Sequence, residues 1–262
     1  MSDIITFVVA PLLGAFAIVM WIRRRQPVFA NLGIKVSRWT VPDFLAGVAI
    51  TSLAILGVFV VEVGLGLITV VPAPYDFGSF AATFLDIAAN AGIEEIFFRS
   101  LLLSGLVVLL GLIPWGTNRW IPVLLSAVLF GLIHATNPGA SAISVLGNSL
   151  GGLIYAMAFL GARNIWFPFG LHLGWNFTQT LLGFPVSGKE FLGPLTTSNV
   201  GSDLLTGGDF GPEAGIIGII ARFAVIALLI GYLKLRYRDG SFASLRYAPD
   251  PVKRTKRQKT PA

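Results

Sequence analysis

The chain has 262 residues, a net charge of +6 and no cysteine, and it is 55% hydrophobic but only 12% charged. Soluble domains average about 25% charged residues, so this composition, with a mean hydropathy of +0.78, indicates a polytopic membrane protein. The missing cysteine excludes a disulfide framework and a thiolate metal site. Nine Lys/Arg crowd after residue 233 against two acids, which argues against nucleic acid as the partner of this basic chain.

Seven apolar segments are predicted to cross the membrane: Ile4–Ile22, Phe44–Val71, Phe80–Ile113, Ile121–Ala135, Ile143–Ala162, Ile165–Phe184 and Ala214–Leu233. About 20 apolar residues at 1.5 Å each span the hydrocarbon core. The first is not a signal peptide, because its basic residues follow the apolar run and no A-x-A site is present. The third, at 34 residues, is too long for one straight crossing and is expected to bend near Arg99. The fourth is short and is closed by the turn signal Asn137-Pro138. Pro185–Glu213, rich in Gly, Ser, Thr and Pro, reads as a long outer loop, either disordered or a lid.

Seven crossings with an outside N-terminus leave sixteen of the nineteen Lys/Arg on the cytoplasmic side. Outside there is only Lys189, while Arg99 and Arg222 fall within spans. The expected architecture is therefore an all-α bundle with a bent third segment enclosing a polar cavity. It comprises one transmembrane domain over residues 1–247 in the cell (inner) membrane. Residues 248–262 form a disordered basic cytoplasmic tail that controls topology and is attracted to anionic lipid.

The polar residues inside the apolar segments are few and patterned. Both histidines of the chain lie there, His134 with Phe130 one turn earlier and His172 with Asn176 one turn later. Residues i and i+4 share a helix face. Asp86, Asn90 and Glu94 form such a stripe, which suggests that the third segment borders a wet cavity. Glu95 and Arg99 stand in the favourable order for an ion pair. A charge at bilayer depth costs about 2.5–3.5 kcal/mol on insertion scales, so intramembrane charges are usually functional. Glu62 and Arg222, each isolated, read more simply as contacts between helices. Asp86, Asn148 and Gln179 are open to either reading. Gly147–Gly151 and Gly170–Gly174 are small-xxx-small packing faces, and the six Trp are interfacial anchors and lining.

Together Glu94, His134, His172 and Asn176 contain the parts for hydrolysing an amide. A carboxylate can take a proton from water, and an imidazole can share that water or carry the proton to the leaving amine. A second imidazole and a carboxamide are suitable oxyanion donors, each worth about 10²–10³ in rate.

Glu94-Glu95-x-x-x-Arg99, Phe130-x-x-x-His134 and His172-x-x-x-Asn176, ordered on separate membrane segments, resemble the three motifs of the CPBP family. Its members are intramembrane proteases of the type II CAAX prenyl endopeptidase and bacteriocin-processing group, often classed as metalloproteases. The resemblance covers roughly Phe80–Phe184. It implies that Glu94 and His134 activate water and that His172 and Asn176 stabilise the oxyanion. Glu95 and Arg99 would shape the site, with Phe130 packed against it. The family's prenyl-processing members open to the cytoplasm, and His172, roughly 10–12 Å along its helix from the inner end, agrees with such access. The chain departs from the eukaryotic enzymes in being shorter, without one N-terminal span.

The expected substrate is a membrane-associated peptide or a lipidated, CAAX-like protein, and lipid is the other partner. No cofactor is required, although two histidines and a glutamate could hold zinc with water as fourth ligand. No H-E-x-x-H and no G-x-S-G occurs, and only Asp86 among the aspartates lies well inside a span, so three other membrane-protease chemistries are excluded. A proton-coupled transporter would also use buried Glu and His, but should show inverted repeats. A non-proteolytic scaffold or immunity factor would not need the motifs intact.

Overall fold

The structure, a computed structural model, describes residues 4–112 and 120–237. Arg119 and the predicted basic tail 248–262 lie outside the described residues. Helix α1 runs over Ile5–Arg23 and opens with π turns, Ile5–Val9. Helix α2 is Thr40–Gly64. The third segment is α3 (Phe77–Glu95), a π-helical stretch Ile96–Leu103, and α4 (Ser104–Leu110). Then come α5 (Trp120–Ile133), α6 (Ala142–Ala162), α7 (Trp166–Leu181) and α8 (Ile216–Tyr237). The result is a helical membrane bundle. Among the described residues, four helices are long and apolar enough to cross a bilayer by themselves: α1, α2, α6 and α8.

Local chemistry sets several boundaries. Asp76 caps α3 by accepting from the Ser79 amide at 2.8 Å. Ser141 and Ser144 form a reciprocal capping box at the start of α6. The irregularity predicted near Arg99 takes the form of π turns, in which the Ser104 hydroxyl reaches the Arg99 carbonyl five residues back at 3.2 Å. Such turns sit often at functional sites.

Two expectations about the segments are corrected. The second does not stay helical to Val71. Gly66, at φ +66°, ends it in a turn, and the β-branched run that follows forms strand β1 (Ile68–Pro72). Strand β1 pairs antiparallel with β2 (Leu195–Asn199), Ile68 opposite Asn199. The bundle therefore carries a small sheet that apolarity alone did not reveal. Pro185–Glu213 is ordered, containing β2 and a one-turn helix, Asp203–Thr206. Its Phe210 and Glu213 are buried, at 1% exposure each.

Helices α2 and α7 make the most extensive pairing among the described residues. Glycine permits the close approach. A Cβ on Gly47 would stand 2.7 Å from both the Leu171 amide nitrogen and the Phe167 carbonyl, and Gly174 sits against Val48 in the same seam. Gly47→Ala is expected to destabilise the protein by about 1–3 kcal/mol, the usual cost of overpacking. Gly57→Ala, on the same helix but facing open space, should leave the melting temperature in detergent unchanged. At the basic end, buried Asp43 receives Arg236 Nη1 at 2.6 Å, Asn164 Nδ2 at 2.6 Å and the Tyr232 hydroxyl at 2.8 Å. This clasp joins α2, the α6–α7 turn and α8. The main core lies between the helices, around Phe98, Phe130, Tyr155, Phe167, Leu171 and Trp175.

Candidate active site

All three motifs meet. Glu94 is on the last turn of α3, His134 immediately follows α5, and His172 lies on α7. Glu94 Oε2 is 4.0 Å from His134 Nε2 and 3.9 Å from His172 Nε2. That carboxylate oxygen is buried and has no hydrogen-bond partner among the described residues. His134 Nδ1 is 2.8 Å from the Phe130 carbonyl, which can only accept. Nδ1 therefore carries the proton, and the Nε2 lone pair turns to Glu94. His172 Nδ1 is 3.0 Å from Glu95 Oε1 and donates to it in the same way. Two imidazole Nε2 atoms and one carboxylate oxygen thus converge on one point, a place for a bridging water.

Behind this face lies the support. Glu95 and Arg99, both fully buried, pair at 3.1 Å through Oε2 and Nε. Arg99 Nη1 reaches Ser126 Oγ on α5 at 3.1 Å, and its guanidinium lies over the Phe130 ring at 5.0 Å. A continuous line therefore runs Ser126–Arg99–Glu95–His172, fixing the ring that faces Glu94. Tyr155 of α6 stacks on His172, centroids 4.6 Å apart and nearly parallel, and Phe130 closes the other side edge-on at 5.8 Å.

Glu94, Phe130, His134, His172 and Asn176 line one cavity of about 410 Å³, while Glu95 and Arg99 stand behind its wall. Of the predicted stripe, Asn90 lines the cavity and Asp86 does not; Asp86 is exposed and accepts from Asn90 Nδ2 at 2.8 Å. Glu62 is buried elsewhere on α2. Gln179 is also buried and holds Glu213 at 2.8 Å.

Sequence reasoning missed part of the lining. Tyr155, Ser187, Lys189, Glu213 and Arg222 all face the cavity. Tyr155 sits in an apolar helix with no patterned neighbour, and Ser187, Lys189 and Glu213 lay in the presumed loop. Burial raises the Glu213 carboxyl above the ordinary carboxylate range, opposed by the Arg222 charge and the Gln179 hydrogen bond. Arg222 contacts neighbouring helices as expected, stacking on Trp175 of α7 at 4.2 Å, and in addition lines the cavity.

Thr6, Asn137, Ser187 and Lys189 extend the lining of the cavity toward the end of the bundle that bears the N-terminus and Pro185–Glu213. Arg23–Arg25, Arg163 and Lys234 mark the opposite end. By the Lys/Arg distribution the cavity leads away from the side predicted to be cytoplasmic.

Residues 76–178 match the family model of type II CAAX prenyl endopeptidase Rce1-like proteins. No curated protein and no solved structure matches the chain. The matched stretch begins at the Asp76 cap of α3 and ends two residues past Asn176, so it contains every motif residue that meets at the cavity. With an apolar helical bundle around it, this chain is an integral membrane protein whose residues 76–178 are similar to the Rce1-like type II CAAX prenyl endopeptidases, a family of proteases.

Proposed function

We propose that the protein hydrolyses a peptide bond of a membrane-associated or lipidated, CAAX-like substrate with a water activated by Glu94 and His134. The observation that supports this reading most is the approach of two imidazole Nε2 atoms to one carboxylate oxygen that has no partner among the described residues, within 4.0 Å. A water there donates one proton to Glu94 and is aligned by His134. As its oxygen attacks the carbonyl carbon, that proton passes to Glu94 and then, directly or through His134, to the leaving nitrogen. The C–N bond breaks and yields one carboxylic acid and one amine. His172, which donates from Nε2 in its doubly protonated form with the Glu95 carboxylate at Nδ1, and the Asn176 amide offer donors to the oxyanion. Glu95 orients this imidazole as a carboxylate orients a catalytic histidine in hydrolases generally.

Zinc does not fit the groups as they stand. Two ligands on a tetrahedral zinc with bonds of about 2.0–2.2 Å lie about 3.4 Å apart, less than the 3.9 and 4.0 Å separations here. Among the described residues no His, Cys, Asp and Glu cluster is disposed to hold a metal ion. The mechanism therefore routes no step through a metal, and chelator-treated, metal-free protein is expected to retain its turnover. Loss of activity restored by added zinc would overturn that.

The Lys/Arg distribution favours a cell-membrane enzyme with its N-terminus outside and its basic tail cytoplasmic. In that orientation the substrate enters from the outer half of the bilayer. The test is cleavage by purified protein in detergent of a prenylated CAAX peptide and of a peptide library, comparing wild type with Glu94→Ala and His134→Ala. Turnover in the wild type alone supports the assignment. Equal turnover in all three ends it.

A further inference from the structure

Between α7 and β2 the chain crosses the end of the cavity that lies away from Arg23–Arg25. The two ends of this crossing are pinned together. The Gly183 carbonyl accepts from the Thr197 amide at 3.2 Å and from the Thr197 hydroxyl at 2.8 Å. The residues between them, 184–196, form a compact Ω-type loop, a class that is frequently functional. Val186, Ser187, Lys189 and Phe191 face the cavity. Three side chains from the bundle hold the loop, each by one hydrogen bond to a loop carbonyl. Gln179 of α7 donates to Pro185, Asn137 of the α5–α6 turn donates to Ser187 at 2.8 Å, and Thr83 of α3 donates to Leu192 at 3.0 Å. The Gly188 amide adds a tie within the outer segment, donating to the Phe210 carbonyl at 2.9 Å.

These ties are few and polar. Each is worth only a modest factor, because both groups find water when it breaks. Lys189, Glu190 and Leu192 are exposed, and Val186 is the one buried apolar side chain of the tip Val186–Lys189. The tip is also held in an unfavoured shape. Ser187 lies in the left-handed region at φ +48°, followed by Gly188 at φ +78°. A Cβ on Gly188 would stand 2.1 Å from the Pro138 carbonyl, so the tip presses on the α5–α6 turn. Strained backbone of this kind clusters at clamps and switches. Segments with few buried apolar contacts open locally without global unfolding. The contact also reaches the chemistry, since Asn137, which holds Ser187, donates its own amide to the His134 carbonyl at 3.1 Å.

We infer that residues 184–194 are a lid over this end of the cavity, latched by Thr83, Asn137 and Gln179. The lid lifts from the Gly183–Thr197 base to admit an extended peptide, and closes on the turn that carries His134. It rests on the hydrolase reading only for what enters; the lifting is independent of it.

The native chain has no cysteine, so a single one can serve as a probe. Ile87, one turn beyond Thr83 on α3, lines the cavity and is 2% exposed. Purified full-length Ile87→Cys protein in detergent is reacted with a polyethylene-glycol maleimide, a reagent too bulky for the closed cavity. Adding Thr83→Val and Asn137→Ala is expected to raise the labelling rate about tenfold or more, the combined worth of two lost hydrogen bonds. Ala17→Cys, at a position 0% exposed and packed with Trp21 and Leu32, should stay unlabelled with or without the two latch substitutions. Because turnover is not read, failure of the hydrolase assignment leaves this outcome untouched. An unchanged rate at position 87, or an equal rise at position 17, overturns the lid.

Discussion

Glu94→Gln is expected to lower kcat by about 10³-fold with little change in KM, because the amide keeps the shape of the side chain but cannot take a proton from water. General-base catalysis is typically worth about 10²–10⁴. Glu94 is partly open to the cavity, at 28% side-chain exposure, and its Oε2 has no partner among the described residues. Its loss therefore leaves no buried charge stranded, and the melting temperature should be unchanged. His134→Ala should cost a comparable factor, and the double variant should be little worse than either single one, since residues that act on one water are not additive. The measurement is initial-rate kinetics on the peptide that the wild type cleaves. A Glu94→Gln rate within tenfold of wild type would remove Glu94 from the reaction.

Arg99→Met should do the opposite, injuring the fold before the chemistry. Glu95 and Arg99 both have 0% side-chain exposure, and removing one partner of such a pair typically costs about 3–5 kcal/mol because the other charge is left uncompensated. Here the stranded Glu95 would keep only its contact with His172 Nδ1. The double variant Glu95→Gln/Arg99→Met should recover most of that loss in a denaturation series in detergent. Activity should stay low in the double variant, because His172 no longer has an ionised carboxylate behind it. A fully additive cycle would mean that the pair does not act as a unit.

The contrast between these variants follows from where two adjacent glutamates point. Neighbours on a helix face about 100° apart, so Glu94 enters the cavity while Glu95 turns into the packed interior toward Arg99 and His172. The motif spacing made all three residues visible, but their division into a reacting and a supporting carboxylate depended on which helices flank α3.

Other parts of the site were hidden for related reasons. Tyr155 gains its role only because α6 brings it against His172 at 4.6 Å. Glu213 and Ser187 lie in a segment whose Gly, Ser and Pro content reads as surface loop, yet it supplies strand β2 and reaches Asn148 and Gln179. Arg222 was one isolated cation in an apolar helix. Local sequence cannot tell a cation that meets a neighbouring helix from one that meets a cavity.

Taken alone, the order of residues settled the membrane environment, the helical class and the identity of the ordered motifs, because hydrophobic length and i, i+4 spacing are local properties. It also carried the Lys/Arg asymmetry that distinguishes the two ends of the bundle. Only the folded chain decided that Glu94, His134 and His172 stand within 4.0 Å, that Ile68–Pro72 becomes a strand, and that Arg222 and Asn148 share the cavity. Those outcomes depend on contacts between residues far apart in sequence, and their energies come from packing and desolvation that no single segment contains.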